Sequence, residues 1–213
     1  MTEKIEVRVL DEPINVEWRA DDGGDKEAIV EGYAAKFDVR SIDMGGFRER
    51  IAPGAFRDVL RSPETDVRAT FNHDFNIVLG RQGAKTLELR EDKTGLFYRL
   101  KMPNTTQARD LVTSMERGDI AHSSFMFIAG KTSWENVQHE GRSIELRNIH
   151  SVARLLDVTI ATMPIYLDAD AKVLKRMMDV TAALEERAEM QSETRKRKAA
   201  QARRIAIAEF GDF

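Results

Sequence analysis

Short stretches of alternating hydrophobic and polar residues recur along the chain, and each reads as a β-strand. Ile5, Val7 and Val9 alternate with Glu6 and Arg8, the pattern of a strand with one buried face. Asp21-Asp22-Gly23-Gly24-Asp25 follows as a linker or hairpin tip. Residues 28–37 and 67–71 form further strand-like segments. Between them lie the loop Asp43-Met44-Gly45-Gly46 and Pro53-Gly54, which opens a short helix ending near Arg61. Residues 87–90 and 96–102 flank Asp92-Lys93-Thr94-Gly95 and predict a β-hairpin. The period then changes. Asn104 with Gln107 offers a capping box, and Ala108, Leu111, Val112 and Met115 share one helical face before Gly118 ends the helix. Four more strand-like runs follow, at residues 120–128, 131–137, 144–149 and 155–162.

Many short strands around few helices predict an α+β fold, a mostly antiparallel β-barrel with a few surrounding helices. The last forty residues differ in kind: they lack Pro, carry no Gly before Gly211, and are rich in Ala, Glu, Lys, Arg and Met, the composition of a helical tail. The expected division is an N-terminal arm at residues 1–26, treated as peripheral, a main domain at 27–169, and a helical, charged C-terminal tail at 170–213.

Composition narrows the chemistry. The chain has 213 residues, 42% hydrophobic and 32% charged, with a formal net charge of −3, so it has enough apolar material for a core. It is neither a basic nucleic-acid coat nor an acidic disordered tail. Without cysteine, disulfides, thiolate zinc sites and a catalytic thiol are excluded. The longest apolar run spans residues 125–129, and Glu3, Lys4, Glu6 and Arg8 stand where a signal peptide would need an apolar stretch. A cytosolic protein, or one packaged from the cytosol, is expected. No membrane partner is expected.

Three groups invite a catalytic reading. His73, in Phe71-Asn72-His73-Asp74, follows a strand-like run, and strand ends commonly present reactive side chains. The plainer alternative is a surface histidine beside Asp74. In His122-Ser123-Ser124-Phe125-Met126-Phe127, alternation puts Ser123 with the two phenylalanines and Ser124 on the opposite face with His122 and Met126. If the phenylalanines anchor the core, Ser124 is the serine free to face a cleft. His122 is a flanking residue, because alternate positions on a strand lie about 7 Å apart, beyond the reach of a general base. On the residues alone, a hydroxyl bonded to neighbouring backbone or water is the plainer reading of Ser124. In Leu155-Leu156-Asp157-Val158-Thr159-Ile160, Leu156, Val158 and Ile160 share one face, while Asp157 and Thr159 share the other. A neutral serine needs a histidine to take its proton, and that histidine works best when an anion fixes its tautomer. Ser124, His73 and Asp157 could fill these roles if the fold brings them together.

At these residues the sequence resembles the prohead proteases of tailed phages of the HK97 type, whose fold is similar to that of the herpesvirus maturation protease. The likeness covers residues 28–168. It runs through Glu31-Gly32-Tyr33-Ala34 with Phe37, Ile51-Ala52-Pro53-Gly54-Ala55-Phe56, Phe71-Asn72-His73-Asp74 and Leu79-Gly80-Arg81. It continues through Gly95-Leu96, the helix ending at Gly118-Asp119-Ile120, the Ser124-Phe125-x-Phe127 segment, and Leu156-Asp157-Val158-Thr159 leading to Met163-Pro164.

The resemblance implies that residues 27–169 are a prohead protease domain with Ser124 as nucleophile, His73 as general base and Asp157 as the acidic third member. That motif typically reads Glu-Val-Ser, where this chain has Asp157-Val158-Thr159. The herpesvirus relatives use a second histidine instead, which makes His150 a rival. The usual glycine after Ser-Phe is Met126, and Ala121 and His122 stand where a glycine is common. An oxyanion hole is required, and the sequence does not locate it. No cofactor or metal is needed.

The implied activity is serine endopeptidase cleavage of scaffold, or of the major capsid protein's scaffolding segment, inside the procapsid in the host cytoplasm, with self-cleavage. A non-catalytic assembly or scaffolding protein of the same fold is the alternative. Homodimerisation is left open, and nucleic acid is not an expected partner. In the tail, Arg195-Lys196-Arg197-Lys198 and Arg203-Arg204 could contact an acidic scaffold or nucleic acid, or form a solvated helix face. One expectation is that the tail recruits the enzyme into the procapsid and is removed by self-cleavage.

Overall fold

A computed structural model describes residues 4–10, 13–20 and 26–162. The expected turn at 21–25, Met163-Pro164 and the C-terminal tail lie outside the described residues. The described part is mainly β, with two short α-helices. Its first half contains β1 (Ile5–Leu10), β2 (Asn15–Ala20), β3 (Lys26–Lys36), β4 (Phe47–Ile51), α1 (Arg57–Arg61), β5 (Arg68–Phe71) and β6 (Asp74–Arg81). The second half contains β7 (Leu87–Glu91), β8 (Gly95–Lys101), α2 (Thr106–Glu116), β9 (His122–Ala129), β10 (Thr132–His139), β11 (Arg142–Ile149) and β12 (Val152–Ala161).

Among the described residues these strands form three sheets and not the closed barrel expected from the strand pattern. A five-stranded sheet has the order β1-β9-β12-β5-β6, a four-stranded sheet β2-β3-β8-β7, and a three-stranded sheet β10-β11-β4. Most pairs are antiparallel, but β12 with β5 and β11 with β4 are parallel. Among the described residues, β1 and β6 are the edge strands of the larger sheet, so it does not close on itself.

One hydrophobic core joins the five- and four-stranded sheets and both helices. Phe125, Phe127, Val158 and Ile160 belong to it with Val30, Leu96, Leu100 and Phe56. The Phe125 and Phe127 rings stack at 4.8 Å, and Phe56 meets Phe125 edge-on at 5.7 Å. Burying each such ring contributes roughly 1.5–3 kcal/mol. Helix α2 buries Ala108, Leu111, Val112 and Met115, the face expected from their spacing. Its cap falls one residue later than expected. Thr105 has extended backbone and its side chain accepts from the Ala108 amide, while Asn104 Oδ1 accepts from Arg109. Gly118, at φ +80°, ends the helix where a side chain would be strained.

The N-terminal arm is not peripheral. β1 pairs with β9 in antiparallel register from Ile5 opposite Ile128 to Leu10 opposite Ser123. Four charged side chains fasten it to the three-stranded sheet. Arg8 gives Nε to Glu49 Oε1 at 2.6 Å and Nη2 to Glu49 Oε2 at 2.8 Å and Glu6 Oε2 at 2.6 Å. Arg147 binds the same two carboxylates, reaching Glu6 at 2.6 and 2.9 Å and Glu49 at 3.0 Å. Each carboxylate is shared by two guanidiniums, which offsets the cost of burying Glu49 at 3% exposure. Burial works to raise the Glu6 carboxyl, but Arg147 and Arg8 outweigh it and hold it below the usual carboxylate range.

Between the two larger sheets, the Tyr98 hydroxyl of β8 and Ser123 Oγ of β9 are 2.8 Å apart. Burial pushes the Tyr98 phenol up to about 12, and the Ser123 bond offsets only part of that rise. Its folded value lies above the unfolded one of about 10, so the stability gained from the neutral phenol is complete below pH 10 and is lost as pH climbs through 12. Thermal melts should therefore show a fall in Tm between pH 10 and 12. Tyr98→Phe should flatten that fall and, by stranding the Ser123 hydroxyl, cost about 1–3 kcal/mol at pH 8.

Candidate active site

Ser124 lies within β9, flanked by β1 and β12, with Val9 and Thr159 as its register partners. Alternation sends Phe125 and Phe127 into the core, with Ser123 beside Tyr98, and leaves Ser124 on the opposite face. Thr159 pairs in turn with Thr70 of β5. Ser124, Thr159 and Thr70 therefore form a row across three adjacent strands.

Asp157 reaches the same face through an irregularity in β12. The register steps from Leu155 opposite Phe127 to Asp157 opposite Met126, which makes Leu156 the extra residue of a bulge. Leu155 is buried at 5% exposure and takes the core position expected of Leu156, which is only half-buried. From Asp157 onward the expected alternation holds.

His73 comes from the tight turn between β5 and β6. Asn72 and His73 adopt left-handed backbone, at φ 51° and 57°, which costs on the order of 1 kcal/mol per residue. Bonds to β12 and the residue after it hold this turn. Asn72 N donates to the Ile160 carbonyl at 3.0 Å, Asn72 Oδ1 accepts from Thr162 N at 3.0 Å, and His73 N donates to Thr159 Oγ1 at 3.0 Å. The imidazole is thereby directed across β12 toward β9.

The three side chains meet. His73 Nε2 lies 2.7 Å from Ser124 Oγ, and His73 Nδ1 lies 2.9 and 3.0 Å from the two Asp157 oxygens. A carboxylate can only accept, so the imidazole proton belongs on Nδ1 and Nε2 is left to accept from the serine. Asp157, one methylene shorter than the motif's usual Glu, still makes the contact. Thr70 Oγ1 donates to Asp157 Oδ2 at 2.7 Å and lies 2.9 Å from Thr159 Oγ1. Thr70 has a single proton, given to the carboxylate, so the bond between the hydroxyls takes its proton from Thr159. Ser124 and Asp157 have 0% exposure and His73 4%, so in this state the cluster is closed to solvent.

The remaining candidates lie elsewhere. His150 Nε2 is 2.7 Å from Ser133 Oγ, so its described bond is to β10, whereas His73 Nδ1 faces Asp157. His122 lies two residues from Ser124, on the same face of β9. Sequence reasoning missed Thr70, whose only signal was its place three residues before His73. It also missed Arg8, whose carbonyl oxygen accepts from Ser124 Oγ at 2.9 Å.

The sequence profile of the Caudovirus prohead serine proteases matches residues 14–183, a span that contains the whole Ser124, His73 and Asp157 cluster. No curated protein matches the chain. Among solved structures, the bacteriophage T4 capsid assembly protease, gp21, is similar over 73% of this chain and 96% of its own, at 10% identity and a TM-score of 0.46. That likeness is too weak to bear on fold or chemistry. The profile match extends over most of the sequence, and on that ground the chain belongs to the Caudovirus prohead serine protease family.

Proposed function

We propose that Ser124, His73 and Asp157 are the catalytic residues of a serine endopeptidase that cleaves scaffold, or the scaffolding segment of a capsid protein, inside the procapsid, and that also cleaves itself. The observation that carries this reading is the unbroken chain of contacts from Asp157 through His73 to Ser124 in a buried site. The family supports the reaction class.

His73 Nε2 takes the Ser124 proton as Oγ bonds to a substrate carbonyl carbon. The tetrahedral intermediate collapses by breaking the C–N bond, and the leaving amine receives that proton from Nε2. Water, deprotonated by the same nitrogen, then hydrolyses the ester and restores the serine. Through both steps Asp157 stays ionised, holds Nδ1–H and stabilises the transient imidazolium. The low-dielectric surroundings strengthen that interaction.

Thr70 and Thr159 are positioning residues. Thr70 donates to the carboxylate and Thr159 holds the turn through the His73 amide, and neither touches the reacting atoms.

Co-expression with the cognate capsid protein tests the assignment. Wild type should convert the capsid protein to a shorter band, and Ser124→Ala should lower the rate by at least about a thousandfold. Identical band patterns for the two would support the non-catalytic scaffolding role instead. Thr70→Val should lower kcat by about tenfold and leave KM unchanged, because it loosens one hydrogen bond behind the base. Thr70→Ser, which keeps the hydroxyl, should restore kcat; failure of that rescue would show a packing effect only.

A further inference from the structure

We propose that β1 is an inhibitory strand held in cis on the edge of β9, where an extended peptide substrate adds, and that it must leave before Ser124 can act. This inference rests on Ser124 being the nucleophile. β9 is bonded to β12 on one side and to β1 on the other. Without β1, the backbone edge beside Ser124 would be open to another strand, and adding a strand to a free edge is a general mode of peptide recognition. β1 also precedes residues 14–183, the span that the family likeness covers.

The contact at the nucleophile gives β1 its inhibitory character. Ser124 Oγ lies 2.9 Å from the Arg8 carbonyl oxygen and 2.7 Å from His73 Nε2. The hydroxyl has one proton, and two acceptors compete for it. When the proton points to Arg8, it is withheld from the base. The geometry is that of a hydrogen bond, with the carbonyl oxygen presented to the hydroxyl, and a nucleophile attacks the carbon. β1 thus occupies a substrate's place without offering a bond in an attack geometry.

Full burial of Ser124 fits the same reading, because a nucleophile for protein substrates has to become accessible. The alternating Arg8, Glu49, Arg147 and Glu6 cluster supplies the latch. Two of its members lie on β1, one on β4 and one on β11. Losing Arg8 still leaves Arg147 to pair both carboxylates, so the latch can be weakened without stranding Glu49.

The test measures how fast a small fluorophosphonate probe labels Ser124, read by mass spectrometry. Three forms are compared: the full chain, its Arg8→Ala variant, and the chain lacking residues 1–10, with folding checked by thermal melts. The full chain should label slowly, and both altered forms about tenfold or more faster. A synthetic peptide of residues 4–10 should slow the truncated chain again, and a scrambled peptide should not. If truncation prevents folding, Arg8→Ala alone decides. Equal labelling of every folded form would overturn the inhibitory role while leaving the proposed chemistry intact. Cleavage of the Arg8–Val9 bond in the wild type would also overturn it, by making β1 a substrate. Absence of labelling in any form, beside a reactive control protease, would refute the nucleophile itself and this inference with it.

Discussion

The register of β12 between β9 and β5 is the constraint on which the site depends. Strands in a sheet lie about 4.8 Å apart, so a serine on β9 and a residue following β5 are separated by two strand spacings. An imidazole can bridge that gap only if its backbone starts at the right height and bends inward. Pairing Thr159 with both Ser124 and Thr70 sets the height. The left-handed turn at Asn72-His73, bonded to Thr159, Ile160 and Thr162, sets the bend. A one-residue slip of β12 would send Asp157 into the apolar core and leave His73 facing aliphatic side chains.

Because the cluster is buried, hydrogen bonding has to replace water at every polar atom. Asp157 receives the imidazole at Nδ1 and the Thr70 hydroxyl at Oδ2, and Thr159 accepts the His73 amide. An isolated carboxylate at this depth would cost several kcal/mol, and these bonds offset that cost. They also prevent the imidazole from rotating out of reach of the serine. Stability and preorganisation come from the same set of contacts.

Much of the site could be read from the chain because it uses period-two alternation. Phe125 and Phe127 were enough to place Ser124 on the face opposite the core, and Val158 with Ile160 did the same for Asp157. The bulge at Leu156 broke that rule locally, since a pairing irregularity leaves no mark in a run of apolar residues. β2, β4 and β6 were not predicted: Asn15–Ala20 does alternate but lies in the arm treated as peripheral, Phe47–Ile51 has three charged residues between its two apolar ends, and Asp74–Arg81 interrupts its apolar residues with Asp74, Asn76 and Gly80. The expectation of a closed barrel failed at a different level, because strand pairing is a tertiary property. The place of β1 was equally hidden. Its alternation announced a strand, but its partner lies more than a hundred residues away, and its latch on β4 and β11 is formed by side chains that read as ordinary surface charge.

A double-mutant cycle on Ser124 and His73, measured as the rate of capsid-substrate cleavage by the wild type, Ser124→Ala, His73→Ala and the double variant, bears most directly on the central claim. Residues that hand one proton between them lose their joint contribution when either is removed. The double variant should then be no slower than either single one, within about threefold. Losses that multiply would mean that the two side chains act independently, and would contradict a shared catalytic site.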